Sequence, residues 1–157
     1  MQKQTILGLI ETVKIKTPTK TYSLKAKIDT GARRSAIDVS VAEKIGYKST
    51  WMEFEKQKPK IKITKKNFQE KRKLINQAYK KKLLQNIPGL VDIRVVPATN
   101  GFTLRPYVKL TYYLKGIKIS SQASIVERRH MRYLMLVGVE DMKNFRIDPT
   151  KNIYKSV

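Results

Sequence analysis

"AKIDTGARRSAID", residues 26–38, is the stretch on which the fold turns. It begins inside an alternation in which Tyr22, Leu24, Ala26 and Ile28 are interleaved with Ser23, Lys25 and Lys27. A period of two is the pattern of a half-buried strand. That strand runs into Asp29, Thr30, Gly31 and Ala32. Gly31 permits a tight turn and the close approach of another chain. The Thr30 hydroxyl donates and accepts, so it can brace a loop. Backbone N–H groups near Gly31 and Ala32 can support a charged carboxylate. The turn is a good holder for a general acid or base, and an aspartate that merely caps its own turn is the competing reading.

Outward from this stretch, composition narrows the possibilities. The 157 residues suffice for one domain with a real core, and 29% charged with 41% hydrophobic residues is a globular balance. No apolar run is long enough to cross a membrane, and "MQKQTILGLIETVK" lacks the run and flanks of a secretion signal, so a cytoplasmic protein is expected. Cysteine is absent, which excludes disulfides, thiolate chemistry and cysteine zinc sites. The net charge of +22 predicts attraction to RNA, to ribosomes or to acidic proteins. A generic lysine-rich surface is the plainer reading of the same number.

"TILGLIETVKI" (5–15) and "TYSLKAKID" (21–29) read as two strands joined by "KTPTK". "SVAEKIG" (40–46) reads as a short helix, with Ser40 and Glu43 at capping-box spacing and Gly46 as its stop. Residues 56–90 differ, with 12 Lys/Arg against the single acid Glu70. Within them, Asn67 opens a basic amphipathic helix that places Phe68, Ile75, Tyr79 and Leu83 near one face. Either this helix lies on the barrel with a solvated face, or it is a docking arm. In the second case Lys71, Arg72, Lys73, Lys80, Lys81 and Lys82 would meet RNA, a ribosome or an acidic protein.

Strand patterns return at 91–96, 102–114, 117–126 and 133–138, with "TNG" (99–101) and "LKG" (114–116) as hairpin turns. "VEDMKNF" reads as one more short helix, and "FRID" and "NIYK" as terminal strands. Many short strands and little helix predict a mainly β barrel or sandwich. One domain over 1–157, carrying a basic insertion at about 56–90, is expected.

Aspartic peptide hydrolysis needs two carboxylates sharing a proton, one to activate water and one to polarise the carbonyl. The chain holds one "DTG", and Asp38, Asp92, Asp141 and Asp148 lack that context. A two-fold homodimer would bring Asp29 to its symmetry mate.

The "DTGA" loop followed by Ser35, Ala36 and Ile37 resembles the active-site loop of retropepsin-like aspartic proteases. "YLMLVG" (133–138) resembles the segment that threads beside that loop, with Leu136, Val137 and Gly138 as its end. The ordered set "LGLIETV", "AKIDTGARRSAI", "WMEFE", "IRVVPATNGFTLRPYV" and "ERRHMRYLMLVGVEDMKNFRIDP" resembles a family known as ATP-dependent zinc proteases, associated with RimK-type glutamate ligases. The likeness spans most of the chain except about 56–90. Val139 stands where that family often has Arg, and "TNG" replaces its "SNG". These departures bear on substrate recognition more than on fold.

The resemblance implies a retropepsin-like closed β-barrel with one or two short helices. It implies a homodimeric aspartic endopeptidase with Asp29 as the catalytic carboxylate, Thr30, Gly31, Ala32 and Ser35 in the active loop, and a flap bearing Asn100, Gly101 and Arg105. Arg105 either orients a substrate carboxylate or braces the flap. Arg33 and Arg34 flank the loop, where they meet acidic peptides such as glutamate-extended tails, or else a dimer mate or solvent. Zinc and ATP, which the family name evokes, are not supported by the residues. His130 is the only histidine, HExxH is absent, and there is no GxxxxGK[ST] loop, so no metal or cofactor is expected. The rival to the peptidase is a binding or adaptor module on the same fold that docks through the basic insertion.

Overall fold

In the computed structural model, residues 4–99 and 101–153 are described. Among them nine strands form: β1 Thr5–Leu7, β2 Ile10–Lys16, β3 Thr21–Ile28, β4 Ala36–Asp38, β5 Leu90–Ala98, β6 Gly101–Leu114, β7 Ile117–Val126, β8 Met135–Val137 and β9 Phe145–Ile147. The larger sheet runs β2-β3-β8-β4-β7-β6-β5. β2 also pairs with β6 through Val13 with Leu114 and Ile15 with Tyr112, so six strands close into a barrel and β5 projects beyond it. The mainly β architecture expected from the strand spacing is thus observed, and of barrel and sandwich it is the closed barrel that the family resemblance implies.

Alternation places side chains as a pleated strand requires. On β2, Ile10, Val13 and Ile15 are buried while Thr12, Lys14 and Lys16 are exposed. Val13 and Ile15 join Ala26, Ile37, Val108, Tyr112, Ile125 and Met135 in one core. The expected 5–15 strand is broken at Gly8, whose N–H binds the Glu11 carboxylate at 3.1 Å. β1 leaves there to pair in parallel with β9. The β6–β7 hairpin turns through Lys115 and Gly116, both at positive φ (53° and 78°), as a tight primed turn demands. "NIYK" forms no strand at Asn152 and Ile153, and its remainder lies outside the described residues.

The helices differ from expectation in two respects. α1 spans Val39–Lys44, and its cap is Asp38 rather than Ser40. The Asp38 carboxylate takes both the backbone N–H and the hydroxyl of Ser40. α2, Lys48–Gln57, was not anticipated, and Tyr47 gives it no side-chain cap. A short 3₁₀ turn covers Val139–Met142.

The basic helix is present but interrupted: α3 Phe68–Leu74, a π turn Ile75–Tyr79, and α4 Lys80–Asn86. At about 100° per residue, Ile75 and Leu83 would lie roughly 80° apart on a regular helix. One extra residue in a π turn brings them to within roughly 20°. Both are buried, so the turn keeps the apolar stripe facing inward. Asn67 precedes α3 without capping it, because its side chain accepts the Thr64 N–H instead.

This stripe packs on the projecting hairpin. Phe54, Ile63, Ile75, Leu83 and Ile87 share a second core with Leu90 and Ile93 of β5. Phe68 stacks on Phe102 with ring centroids 4.5 Å apart. Among the described residues no helix is long and apolar enough to cross a membrane.

Candidate active site

β3 delivers Asp29 to the end of the barrel. β8 runs parallel beside it, with Ile28 opposite Val137, and the Asp29 N–H bonds to the Val137 carbonyl at 3.0 Å. The chain then folds back on itself. The Gly31 N–H donates to the Asp29 carboxylate at 2.9 Å, and the Ala32 N–H to the Asp29 carbonyl at 3.2 Å. The carboxylate is therefore held in the turn by a backbone donor.

The loop is stitched to the segment after β8. Val139 N–H bonds to the Ala32 carbonyl at 2.8 Å and Glu140 N–H to the Arg33 carbonyl at 3.0 Å. Ser35 is buried beneath. Its hydroxyl donates to Asp141 Oδ2 at 2.5 Å and accepts the Gly138 N–H at 3.1 Å. Tyr112 donates to the same Asp141 oxygen at 2.8 Å. Burial and the Asp141 charge together push the Tyr112 phenol far above its ordinary pKa, so it stays a donor.

A cleft of about 450 Å³ opens between this loop and the β5–β6 hairpin. Gly31, Ala32 and Leu136 form one side, and Val95, Val96 and Pro97 the other. Four arginines also line it: Arg33, Arg34, Arg94 and Arg105. Arg105 Nε is buried without a hydrogen-bond partner among the described residues. Burial pushes the Arg105 pKa down, which marks a cation short of an anion. Arg34 lies over the Tyr107 ring at 5.3 Å and donates to Gln122 at 2.9 Å.

Among the described residues, Asp92 is the one buried carboxylate beside these cations. Lys80 and Arg94 each approach it at 2.8 Å and Arg34 at 3.7 Å. Burial alone would raise its pKa, but the bonds from Lys80 and Arg94 outweigh that and hold it below the ordinary value. Arg128 is half-buried. Its Nε donates to the Tyr133 carbonyl at 3.1 Å and its backbone N–H to Asp38. Burial and the nearby Arg105 charge push its pKa down, and Asp29 and Asp38 oppose that.

The residues singled out from sequence are largely gathered here. Asp29, Gly31, Ala32, Ser35, Leu136, Val137 and Gly138 form the loop and the strand threaded beside it, and Thr30 is exposed at the turn. Gly101 and Arg105 lie on the hairpin, Gly101 at φ 122°, while Asn100 lies outside the described residues. Arg33 is 74% exposed and paired with Glu140 at 2.9 Å in the same chain. Lys71, Arg72, Lys73, Lys81 and Lys82 belong to the basic helix, but Lys80 is turned to Asp92. His130 is exposed, and among the described residues no three His, Asp or Glu side chains gather to hold a metal ion.

Sequence reasoning missed Asp141 and Asp92, which brace the site, and Arg94, which lines it. Asp92 and Arg94 stand two apart on a strand and so share a face, a signal that was open to reading.

No curated protein matches the chain. Among solved structures, Lpg0085, a protein with unknown function (DUF785) from Legionella pneumophila subsp. pneumophila str. Philadelphia 1, is 16% identical. That alignment covers 96% of this chain and 98% of that one with a TM-score of 0.50, a likeness of fold. Simian foamy virus (mac) protease aligns over 85% of this chain and 90% of its own at 13% identity, with a TM-score of 0.45. The family model RimB-like, described as retropepsin-like aspartic endopeptidase RimB, matches residues 6–156, and the chain belongs to that family.

Proposed function

We propose that the protein is a homodimeric aspartic endopeptidase in which each subunit contributes one Asp29. The observation that carries this is the loop itself: a carboxylate at the end of a barrel strand, supported by the Gly31 N–H, beside an arginine-lined cleft. The reading takes residues 1–157 as one domain with the basic segment 56–90 inserted.

Two Asp29 carboxyls brought together across a two-fold axis share one proton. The ionised one takes a proton from water as its oxygen attacks the scissile carbonyl carbon. The protonated one gives its proton to the carbonyl oxygen. The tetrahedral diol then collapses: the C–N bond breaks, the departing nitrogen takes a proton from the carboxyl that had received it, and one diol hydroxyl returns its proton to the other carboxylate as the new C=O forms. Arg33, Arg34, Arg94 and Arg105 favour acidic peptides, glutamate-modified tails among them.

Asp29→Asn is expected to lower cleavage of a glutamate-rich peptide by roughly 10²- to 10⁴-fold. The melting temperature should stay unchanged. Cleavage at the parent rate would overturn the reading, as would an active species that sediments as a monomer. A second reading, a non-catalytic module docking on RNA, ribosome or an acidic partner, draws support from the exposed basic helix. It predicts no cleavage by the parent protein.

A further inference from the structure

The basic helix and the cleft are joined through one carboxylate. Asp92 on β5 holds Lys80 from α4 on one oxygen and Arg94, a cleft residue, on the other. Arg34, also in the cleft, completes the group at 3.7 Å. Cationic surface therefore continues from the cleft to the start of α4. The next residues, Lys81 and Lys82, are exposed, and among the described residues no carboxylate pairs with them.

The π turn decides where the other cations lie. Lys71 and Lys80 are nine positions apart, which on a regular helix is about 900°, opposite faces. With one extra residue in the turn the separation falls to roughly 80°. Each run of three still sweeps about 200° around the axis, and Lys73 and Lys81 come within roughly 20° of each other on the side away from the buried Ile75 and Leu83. Glu70 is the single acid in the whole 56–90 segment. Such a surface repels itself and is relieved by an anionic partner.

The surface is also fixed in place relative to the cleft. Ile75 and Leu83 pack with Leu90 and Ile93, and Phe68 stacks on Phe102 of the hairpin. We propose that the solvent side of this helix, with Lys73 and Lys81 at its centre and Lys71, Arg72 and Lys82 around them, is an exosite for an acidic polypeptide. It holds the stretch of chain that leaves the cleft, not the stretch being cut. This rests on the acidic-peptide reading of the cleft.

A polypeptide fits better than single-stranded RNA. Sequence-tolerant RNA binding uses exposed aromatic rings as stacking platforms. The helix's two rings, Phe68 and Tyr79, are instead packed against the second core. Lys71 to Lys82 spans about 16 Å along the helix axis, the length of roughly five extended residues.

The test uses binding, not turnover. Full-length Asp29→Asn protein is titrated by fluorescence anisotropy with two labelled glutamate-rich peptides, one of about eight and one of about twenty residues. The longer peptide should bind about tenfold more tightly, because the second contact is made within one complex. In K71Q/R72Q/K73Q/K81Q/K82Q that gain should vanish while affinity for the short peptide is kept. K81Q/K82Q alone, a milder change, should lose part of it. Equal affinity for both lengths in the parent overturns the proposal, and so does a gain that survives the five substitutions. A uridine homopolymer of matched charge that binds more tightly than the long peptide overturns it in favour of nucleic acid. Failure of the peptidase reading would show separately, as wild-type protein that cuts neither peptide.

Discussion

Gly138 passes so close to Arg34 that a Cβ placed on it would lie 2.4 Å from the Arg34 carbonyl carbon and 2.6 Å from its oxygen. Its φ of −91° is open to any residue, so the requirement for glycine is one of space alone. Backbone cannot yield as a flexible side chain can. Gly138→Ala should therefore separate residues 137–140 from the Asp29 loop and cost about 2–4 kcal/mol. Urea unfolding measures the cost, and peptide cleavage should fall with it. An unchanged midpoint would mean that the two segments part freely.

Ser35 joins the same two segments from below. Ser35→Ala strips one of the two donors shown on Asp141 and leaves the Gly138 N–H without its acceptor. An unsatisfied buried donor costs about 1–3 kcal/mol, and that loss should appear in denaturant unfolding. Ser35→Thr keeps the hydroxyl and should recover much of it. If alanine and threonine behave alike, the hydroxyl is not what holds the loop.

The alternation from Tyr22 to Ile28 was legible because a half-buried strand repeats every two residues, and the turn at Lys115–Gly116 because a tight hairpin needs positive φ. Asp29 and Gly138 were legible as parts of local motifs. Their bracing was not. Ser35 and Gly138 are 103 positions apart, and nothing local to either names the other. Asp92 looked like a stray acid because its value lies in Lys80 and Arg34, which come from other elements. α2 was hidden because Tyr47 offers no side-chain cap. The π turn leaves no mark in composition, and it changes only which residues share a face.

The depressed pKa of Asp92 sets the direction of acid sensitivity. A carboxyl whose folded pKa lies below its unfolded value stabilises fully above that unfolded value, near 3.9. The stabilisation is lost as pH falls through the lower folded value. Stability should thus drop below about pH 4, with Asp38 adding to the slope in the same direction. Asp92→Asn should flatten this acid limb and, at neutral pH, cost about 1–3 kcal/mol, since Lys80, Arg94 and Arg34 lose their shared anion. Chemical unfolding repeated across pH 3 to 7 tests both parts. An acid limb as steep in the variant as in the parent would remove Asp92 from the account.

Phe68 is one of the side chains through which the basic segment grips the hairpin. Its ring stacks on Phe102 at an interplanar angle of 19°, and Phe102 follows directly on Gly101 at the hairpin turn. An aromatic pair of this kind adds about 0.5–1.5 kcal/mol beyond its buried area. Phe68→Ala removes the ring without touching Asp29, Ser35 or Gly138, so local opening of the hairpin should rise more than global unfolding. A loss of about 1 kcal/mol corresponds to roughly fivefold more of the open form. Limited proteolysis within residues 98–103 should accelerate by that factor, while the thermal midpoint moves little. Phe68→Leu should restore part of the protection through apolar contact. Equal proteolysis of parent and Phe68→Ala would mean that Ile63 and the rest of the second core hold the hairpin without the stacked rings.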